Sequence, residues 1–426
     1  TRWGFVTGVQ TCALPIWQSV LAAKAAGVNW VSAPPETTGW FWAEPERGKL
    51  AFRDTEVGRY RDGKLEVVGL LGSTPPWAAS GGTDGAQPWM QPADEEAWAR
   101  YVGEAVGHFR GKVPAWRVWP DPGSARYFAS KVSSTGPRGR ARYEAGGDAP
   151  GRYAAVLKAA DSAAGKADPS ARLGGFGSSN RRLGPELMMA SFRRGEAAPG
   201  LSGSDWSLKV LMGGGLEASD FFCYHHLAGF SRAGTNPIGG QMDPVEAGLA
   251  EALRPLRRYH PDRPLPVWLF DGSDPSAPGR PSAALALRAL ENRVERFFLR
   301  WPAGDAPAGA TAGHEIAEIS AMARRLEGKR FVERFRLAHE VWADIFEGDG
   351  RWVAVVEAER PRADGSGWRL PWFWFVSRCD RLGNPMPWGG TWDGSRAYLE
   401  IDQMWRNLPG LLRKRSGRLE AVGPGR

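Results

Sequence analysis

The chain has 426 residues, which is too long for one ordinary compact domain and suits a large barrel with a companion domain. Its composition, 42% hydrophobic and 24% charged, is that of a folded globular protein and excludes a disordered or fibrous one. The net charge is +8, but the positive residues are spread along the chain, which favours a solvated basic surface over a nucleic-acid groove.

Two further classes are disfavoured by simple counts. No apolar run reaches the roughly 20 residues that a membrane-spanning helix needs. The three cysteines, Cys12, Cys223 and Cys379, are too few and too scattered for a disulfide scaffold or a cysteine zinc site. The 21 tryptophans exceed the usual needs of a core, and they indicate stacking on flat or ring-shaped ligands.

The first residues are unlike the rest of the chain. Residues 6–16 read VTGVQTCALPI, which resembles the translation of a common sequencing adapter. We therefore treat residues 1–16, with Cys12, as an artefactual segment. On this interpretation the natural sequence starts within a domain near Trp17, and the true N-terminus with any signal peptide is missing.

From Trp17 onward, short apolar strands alternate with amphipathic helices. The predicted helices of the first part are 17–26, 93–110, 153–166 and 284–295. The predicted strands are 28–33, 65–72, 115–120, 171–177, 220–227, 265–270 and 295–301. This alternation predicts an α/β fold with a parallel sheet closed into a (β/α)8 TIM barrel. The missing strand should precede the first helix, where the adapter-like segment stands.

The composition changes after the last predicted strand. Residues 17–302 form the predicted barrel, and AGDAPAGATAG at 303–313 has the composition of a linker. Residues 314–426 are predicted to hold one helix (314–328) followed by an antiparallel β-sandwich, because stretches such as RWVAVVEAE alternate between turn signals.

Two local patterns invite a metal or a phosphate but lack a necessary residue. HEIAE at 314–318 begins like a zinc-binding helix, yet Glu318 stands where the second histidine is needed. LGGFGSS at 173–179 has neither the lysine of a phosphate loop nor the full dinucleotide spacing. We predict no metal and no cofactor.

The carboxyl ends of the barrel strands are where barrel active sites are built. Two of the predicted strands end in acidic residues, Asp121 and Asp271, with tryptophans around them. A pair of carboxyl groups can flank a glycosidic bond, one donating a proton and the other attacking or activating water, while indoles stack on the sugar. The alternatives are structural, since Asp121 could cap a helix or a turn, and Asp271–Gly272 is an ordinary turn pair.

Other side chains at these ends are candidates for substrate binding. His225 and His226 end one strand, and because neighbouring residues point to opposite faces, one of them can enter the barrel mouth. The full set of candidate binding residues is Trp42, Trp77, Trp119, Tyr224, His225, His226 and Trp301.

Several stretches then resemble one family in the same order and spacing. WAEPERG resembles a second-strand motif, PAWRVWPDPGSARYFA resembles the stretch with W-x-V-W-N-E-P, and LPVWLFDGS resembles P-x-W-x-T-E-x-G. From about Trp17 to its end, the chain is similar to the clan A glycoside hydrolases, particularly β-xylosidase-like and cellulase-like members with a β-sandwich. The resemblance implies Asp121 as acid/base, Asp271 as nucleophile or base, an oligosaccharide or polysaccharide as substrate, and an extracytoplasmic or secreted location.

The chain departs from the family pattern at four positions. Aspartates replace both catalytic glutamates, Pro120 replaces a substrate-binding asparagine, and Ser32 replaces an arginine that orients the nucleophile. Aspartate withdraws each carboxylate by about 1.5 Å, one carbon–carbon bond. A retaining pair needs its two carboxyl groups about 5–5.5 Å apart. Because aspartate side chains are shorter than glutamate side chains, the distance between the carboxyl groups could instead widen toward the roughly 6.5–9.5 Å of an inverting pair.

Two hypotheses of different classes remain. In the first, the protein is an active glycoside hydrolase that uses Asp121 and Asp271. In the second, it is a catalytically impaired pseudo-glycosidase that binds carbohydrate through a tryptophan-lined cleft. The residues of that cleft would be Trp42, Trp77, Trp119 and Trp301. Binding to nucleic acid has only the net charge in its favour.

Overall fold

The structure is a computed structural model. It describes residues 4–8, 20, 23–81, 88–133, 142–144, 146–179, 203–226, 244–271, 282–300, 310–338, 341–358, 367–369, 377–386, 391–402 and 421–422. The strands up to residue 300 are β1 Gly4–Gly8, β2 Val28–Ser32, β3 Glu66–Leu71, β4 Ala115–Val118, β5 Lys131–Ser133, β6 Arg142–Glu144, β7 Arg172–Ser179, β8 Phe221–His226, β9 Val267–Asp271 and β10 Arg296–Arg300. The later strands are β11 Arg330–Ala338, β12 Val341–Gly348, β13 Arg351–Ala358, β14 Gly367–Arg369, β15 Ser377–Asp380, β16 Thr391–Trp392, β17 Ala397–Asp402 and β18 Ala421–Val422.

The helices alternate with the strands of the first part. Their bounds are Pro35–Thr38, Trp40–Ala43, Asp54–Asp62, Glu95–His108, Ala149–Ala167, Gly203–Met212, Pro244–Tyr259, Ser282–Glu291 and Ala310–Leu326, and Pro76–Ala78 forms a 3₁₀ turn. None of the helices that the structure describes is both long and apolar enough to cross a membrane.

A parallel barrel organises the first part of the chain. Seven strands pair in the order β2-β3-β4-β7-β8-β9-β10. The backbone of β1 pairs in parallel with both β10 and β2 and closes the ring. This strand occupies the place that the sequence analysis assigns to the missing first strand, within the segment treated as artefactual. The predicted mixed α/β architecture with a parallel barrel is confirmed.

Local sequence explains why these elements form. Val67, Val68 and Leu70 of β3 are all fully buried, as expected for a parallel strand covered on both faces. The helix Glu95–His108 begins at Asp94, whose side chain accepts hydrogen bonds from the backbone N–H groups of Glu96 and Ala97. A helix also begins at Ala310, within the segment predicted to be a linker.

Alternation along the strands defines the barrel interior. One cluster of side chains comes from six different barrel strands and therefore fills the space that they enclose. Its members are Trp30, Val68, Ala115, Phe221, Cys223, Trp268, Phe270 and Phe298. Residues on the other face of the same strands, such as Leu269 and Val118, belong to the larger core that includes the surrounding helices.

The later part of the chain forms a separate antiparallel sheet domain, as predicted. Its larger sheet has the order β11-β12-β13-β17-β15, and a smaller one has the order β16-β14-β18. The two parts meet at a buried charge cluster. There, Arg288 of the helix Ser282–Glu291 forms ion pairs with Asp344 of β12 and Glu357 of β13.

Candidate active site

Three neighbouring barrel strands carry a residue in the left-handed backbone region near their carboxyl ends. These residues are Ser73 with φ 60°, Trp119 with φ 64° and Phe176 with φ 71°. This conformation is unfavourable for bulky side chains, and such strain gathers at functional sites. The backbone N–H of Trp119 donates to the carbonyl of Leu71 at 2.8 Å, which fixes the bend after β4 against the end of β3.

Asp121 lies just beyond this bend and is only 4% exposed. Its carbonyl accepts a hydrogen bond from the backbone N–H of Ser124 at 3.0 Å, so the residue begins a turn. The next long helix, Ala149–Ala167, is capped by Asp148 and not by Asp121. Gly177 of β7, with φ 54°, approaches Pro122 so closely that a Cβ atom there would lie 2.2 Å from the proline ring. The acidic loop is therefore packed firmly onto β7.

A row of half-buried aromatic rings runs across the loops that follow β2, β3 and β4; we call it the aromatic row. Its members are Phe41, Trp42, Trp89 and Tyr127. Ring centroids lie 5.2 Å apart for Phe41 and Trp42, 6.1 Å for Trp42 and Trp89, and 5.6 Å for Trp89 and Tyr127. Half-buried rings of this kind can stack on the C–H faces of a sugar.

Backbone hydrogen bonds hold the aromatic row together. The N–H groups of Trp40 and Phe41 donate to the carbonyls of Gly72 and Ser73, which joins the loop after β2 to the end of β3. The N–H of Ala129 donates to the carbonyl of Trp89 at 3.1 Å, which joins the loops after β3 and β4. Of the row, the sequence predicts Trp42 as a binding residue but gives no signal for Trp89 and Tyr127.

Two other tryptophans proposed from the sequence make contacts within the protein. Trp77 is half-buried, and its indole N–H donates to the carbonyl of Glu44 at 3.0 Å. Trp119 is fully buried and packs 5.3 Å from Trp98 and 5.1 Å from Phe128. Because its ring is enclosed by other rings, Trp119 supports the acidic loop rather than offering a stacking face.

His225 faces the barrel interior, where its ring stacks nearly parallel on Phe270 with the centroids 5.4 Å apart. Burial, with a smaller effect of the Arg117 cation, holds the pKa of His225 well below its ordinary value, so the ring is neutral at pH 7. Tyr224, the preceding residue, is fully buried in the larger core.

The remaining predicted site residues are described in part or not at all. Asp271 is the last residue of β9, and its backbone pairs in register with His226 of β8. The side chains of Asp271 and His226, and the whole of Trp301, lie outside the described residues.

Glu44, in the stretch WAEPERG, is a buried carboxylate with a structural function. It accepts hydrogen bonds from the indole N–H of Trp40 at 2.8 Å, from Arg100 at 2.7 Å and from the backbone N–H of Gly48 at 2.8 Å. Burial alone would raise its pKa, but the hydrogen bonds from Trp40, Arg100 and Gly48 hold the pKa of Glu44 below its ordinary value. All of its bonds serve to position the loop after β2.

Within the described part of the chain, no three His, Cys, Asp or Glu side chains come together as a metal site requires. The two described cysteines, Cys223 and Cys379, are free thiols and buried.

Comparisons with known proteins agree with this architecture. No family model matches the chain, and no curated protein matches it. A solved family 39 glycoside hydrolase from Bacteroides cellulosilyticus WH2 is similar over 93% of this chain and 79% of its own, with TM-score 0.58 and 16% identity. A family 30 endoxylanase from Clostridium papyrosolvens C71 is similar over 94% of this chain and 96% of its own, with TM-score 0.53 and 10% identity. At these identities the likeness shows only that the fold of this chain is similar to that of these glycoside hydrolases.

Proposed function

We propose that this chain is a carbohydrate-active protein of the glycoside hydrolase type that hydrolyses O-glycosidic bonds in an oligosaccharide or polysaccharide. The observation that carries the proposal is the aromatic row, which lies on the same set of loops as the buried Asp121 at the carboxyl end of the barrel. The fold likeness to a family 39 glycoside hydrolase and a family 30 endoxylanase supports the same assignment.

In this proposal Asp121 donates a proton to the leaving oxygen of the glycosidic bond. Asp271, at the end of β9, acts as nucleophile or as the base that activates water. The burial of Asp121 favours this role, because a site that excludes water strengthens electrostatic interactions with the reacting atoms.

A second candidate is carbohydrate binding without hydrolysis, and Ser32 favours it. The resemblance places at this position an arginine that orients the nucleophile, whereas the Ser32 hydroxyl oxygen is buried without a hydrogen-bond partner in the described structure. Pro120 likewise removes the amide that would bind substrate beside the acid.

Replacing the acids one at a time separates the two candidates. In the first, wild type turns over a member of an aryl glycoside and oligosaccharide panel. Asp121→Asn and Asp271→Asn then lower kcat by about 100- to 10,000-fold, the usual contribution of acid–base catalysis. Oligosaccharide affinity stays within about twofold, because the amide keeps the shape of the acid. Asp62→Asn, on the exposed end of a helix, serves as control and should change neither quantity.

The outcomes are distinct. Sugar binding without turnover in wild type would reject the hydrolase and support the second candidate. Neither binding nor turnover across the panel would reject both.

We further propose that the natural barrel has eight strands and that Gly4–Gly8 stands where the authentic first strand belongs. Its parallel pairing with β2 and β10 supports this. The division into a barrel at 17–302, a linker at 303–313 and a second domain at 314–426 remains a prediction, although the helix Ala310–Leu326 begins inside the linker segment.

A further inference from the structure

Arg117 lies inside the barrel, on the strand that leads to Asp121. It shares a strand face with Ala115, which belongs to the interior cluster. Its guanidinium carbon is 4.5 Å from the centroid of the Phe270 ring on β9, three strands away around the barrel. The side chain therefore reaches across the interior to the opposite wall.

The guanidinium of Arg117 has no counterion among the described residues. Its Nε atom is buried without a hydrogen-bond partner, and none of the ion pairs in the described structure includes Arg117. The contrast is Arg288, which is buried and forms ion pairs with Glu291, Asp344 and Glu357. A buried charge is normally paired, because desolvation penalises it strongly otherwise.

Arg117 nevertheless remains a cation at neutral pH. Burial lowers its pKa from 12.5 to about 10, which is still far above 7. The thiol of Cys223 belongs to the same barrel interior, but burial raises its pKa to about 12, so the sulfur keeps its proton. The positive charge inside the barrel is thus not neutralised by Cys223.

A neutral hydrogen-bonding group stands beside the cation. His225 is 5% exposed, and its Nε2 atom has no hydrogen-bond partner in the described structure. Both His225 and Arg117 contact the ring of Phe270. Arg117 points into the barrel, and the residue as a whole is half-buried.

We propose that Arg117, with His225 beside it, receives the negatively charged group of an acidic carbohydrate, so that the site takes sugars carrying a carboxylate or a sulfate. The proposal rests on the proposed function and specifies its substrate class. A guanidinium matches the two oxygens of either anion, and the neutral imidazole supplies a further N–H donor.

Two exposed arginines at the barrel mouth fit the same class of ligand. Arg126 lies over the ring of Tyr127 at 5.7 Å, and Arg47 lies over the ring of Trp77 at 5.6 Å. Positive charge beside the aromatic row attracts an anionic chain before it reaches Arg117.

The test compares three oligosaccharides of equal length by calorimetric titration: a neutral xylo-oligosaccharide, one carrying glucuronate, and one carrying sulfate. We expect at least one anionic ligand to bind about 10- to 100-fold more tightly than the neutral one, as hydrogen bonds to a charged group allow. The ligand that shows the preference identifies the anion.

Arg117→Met should remove this preference and leave the neutral affinity within about twofold. Arg117→Lys should retain part of it, because lysine keeps the charge but loses the two-pronged geometry. The matched control is Arg172→Met, at the amino end of β7, where the guanidinium also lies over interior rings, those of Phe221 and Trp268. This control should keep the preference intact.

If Arg117→Met does not fold, as judged by circular dichroism, His225→Phe keeps the stacked ring and should still reduce the preference severalfold. Equal binding of neutral and anionic ligands by wild type, or an unchanged preference in the folded Arg117→Met variant, would overturn the proposal and leave carbohydrate binding intact. If no oligosaccharide binds at all, the proposed function fails. In that case, the rise in Tm caused by sulfate or free glucuronate tests whether Arg117 binds an anion. Equal stabilisation of wild type and Arg117→Met overturns the anion site.

Discussion

Removing Arg288 should destabilise the contact between the barrel and the sheet domain. Its guanidinium lies 2.5 Å from Glu291 and 3.4 Å from Asp344, and it also contacts Glu357. The side chain of Asp344 is 0% exposed. Arg288→Met keeps most of the side-chain volume but leaves Asp344 and Glu357 without their shared cation.

The expected loss of stability depends on the carboxylates that remain buried after Arg288 is removed. Removing one partner of a buried ion pair costs about 3–5 kcal/mol, because the other charge is left buried and unpaired. Two cations remain nearby: Arg334, at 3.6 Å from Asp344, and Arg396, at 3.0 Å from Glu357. We therefore expect the lower end of the range, a loss of about 3 kcal/mol and a fall in Tm of about 6 °C or more.

Differential scanning calorimetry and urea unfolding measure the loss, and Arg330→Met is the matched control. Arg330 pairs with Glu347 in the same sheet, but its side chain is 71% exposed. An exposed pair contributes about 0–1 kcal/mol, so the control should stay near wild type. A loss below about 1 kcal/mol in Arg288→Met would refute the reasoning, because it would mean that the cluster does not depend on its central cation.

Two further predictions follow from the same structure. Burial, together with the charge of Asp344, raises the pKa of Glu291 from 4.5 to about 8. The folded state therefore holds this proton more tightly than the unfolded state, and the contribution of Glu291 to stability should fall as pH rises from about 5 to 8. Urea unfolding at pH 5, 7 and 9 checks this. A gain in the free energy of unfolding of wild type over that range, absent from Arg288→Met, would contradict it. In the aromatic row, Trp89→Ala should weaken oligosaccharide binding by about 0.5–1.5 kcal/mol, the value of a lost ring contact. Tyr259→Ala, an exposed ring (55%) on the last turn of the helix Pro244–Tyr259, is its control, and an equal loss in both variants would exclude the aromatic row as the binding surface.

Local sequence predicts the barrel strands well because each is an apolar run between turn residues. The expected strand at 65–72 contains β3, Glu66–Leu71, and that at 115–120 contains β4, Ala115–Val118. Where local signals conflict, prediction fails. The helix Pro244–Tyr259 contains Pro255, and this helix is not predicted from the sequence because a proline normally interrupts a helix. The segment AGDAPAGATAG has linker composition, yet its last alanines favour helix and begin the helix at Ala310.

The site is predictable only in part, for a different reason. Asp121 is predicted both by the family resemblance and by its place at the carboxyl end of a barrel strand. Both signals lie within one short stretch of sequence. The aromatic row depends on hydrogen bonds between loops that are distant in sequence, as between Trp89 and Ala129, and no local pattern encodes them. Strand alternation places Arg117 inside the barrel, but only the folded structure reveals what surrounds its charge.

The high tryptophan content illustrates how position outweighs composition. Among the described residues, six of the indoles are fully buried and pack in cores, so they explain part of the excess without any ligand; they are Trp40, Trp98, Trp116, Trp119, Trp268 and Trp392. Trp119 combines this burial with a left-handed backbone, and its contacts with Trp98 and Phe128 offset the strain of the bend that carries Asp121. A sugar-binding role therefore depends on the two half-buried indoles of the aromatic row, Trp42 and Trp89, because they lie on the loops after β2 and β3 while Asp121 lies on the loop after the neighbouring strand β4.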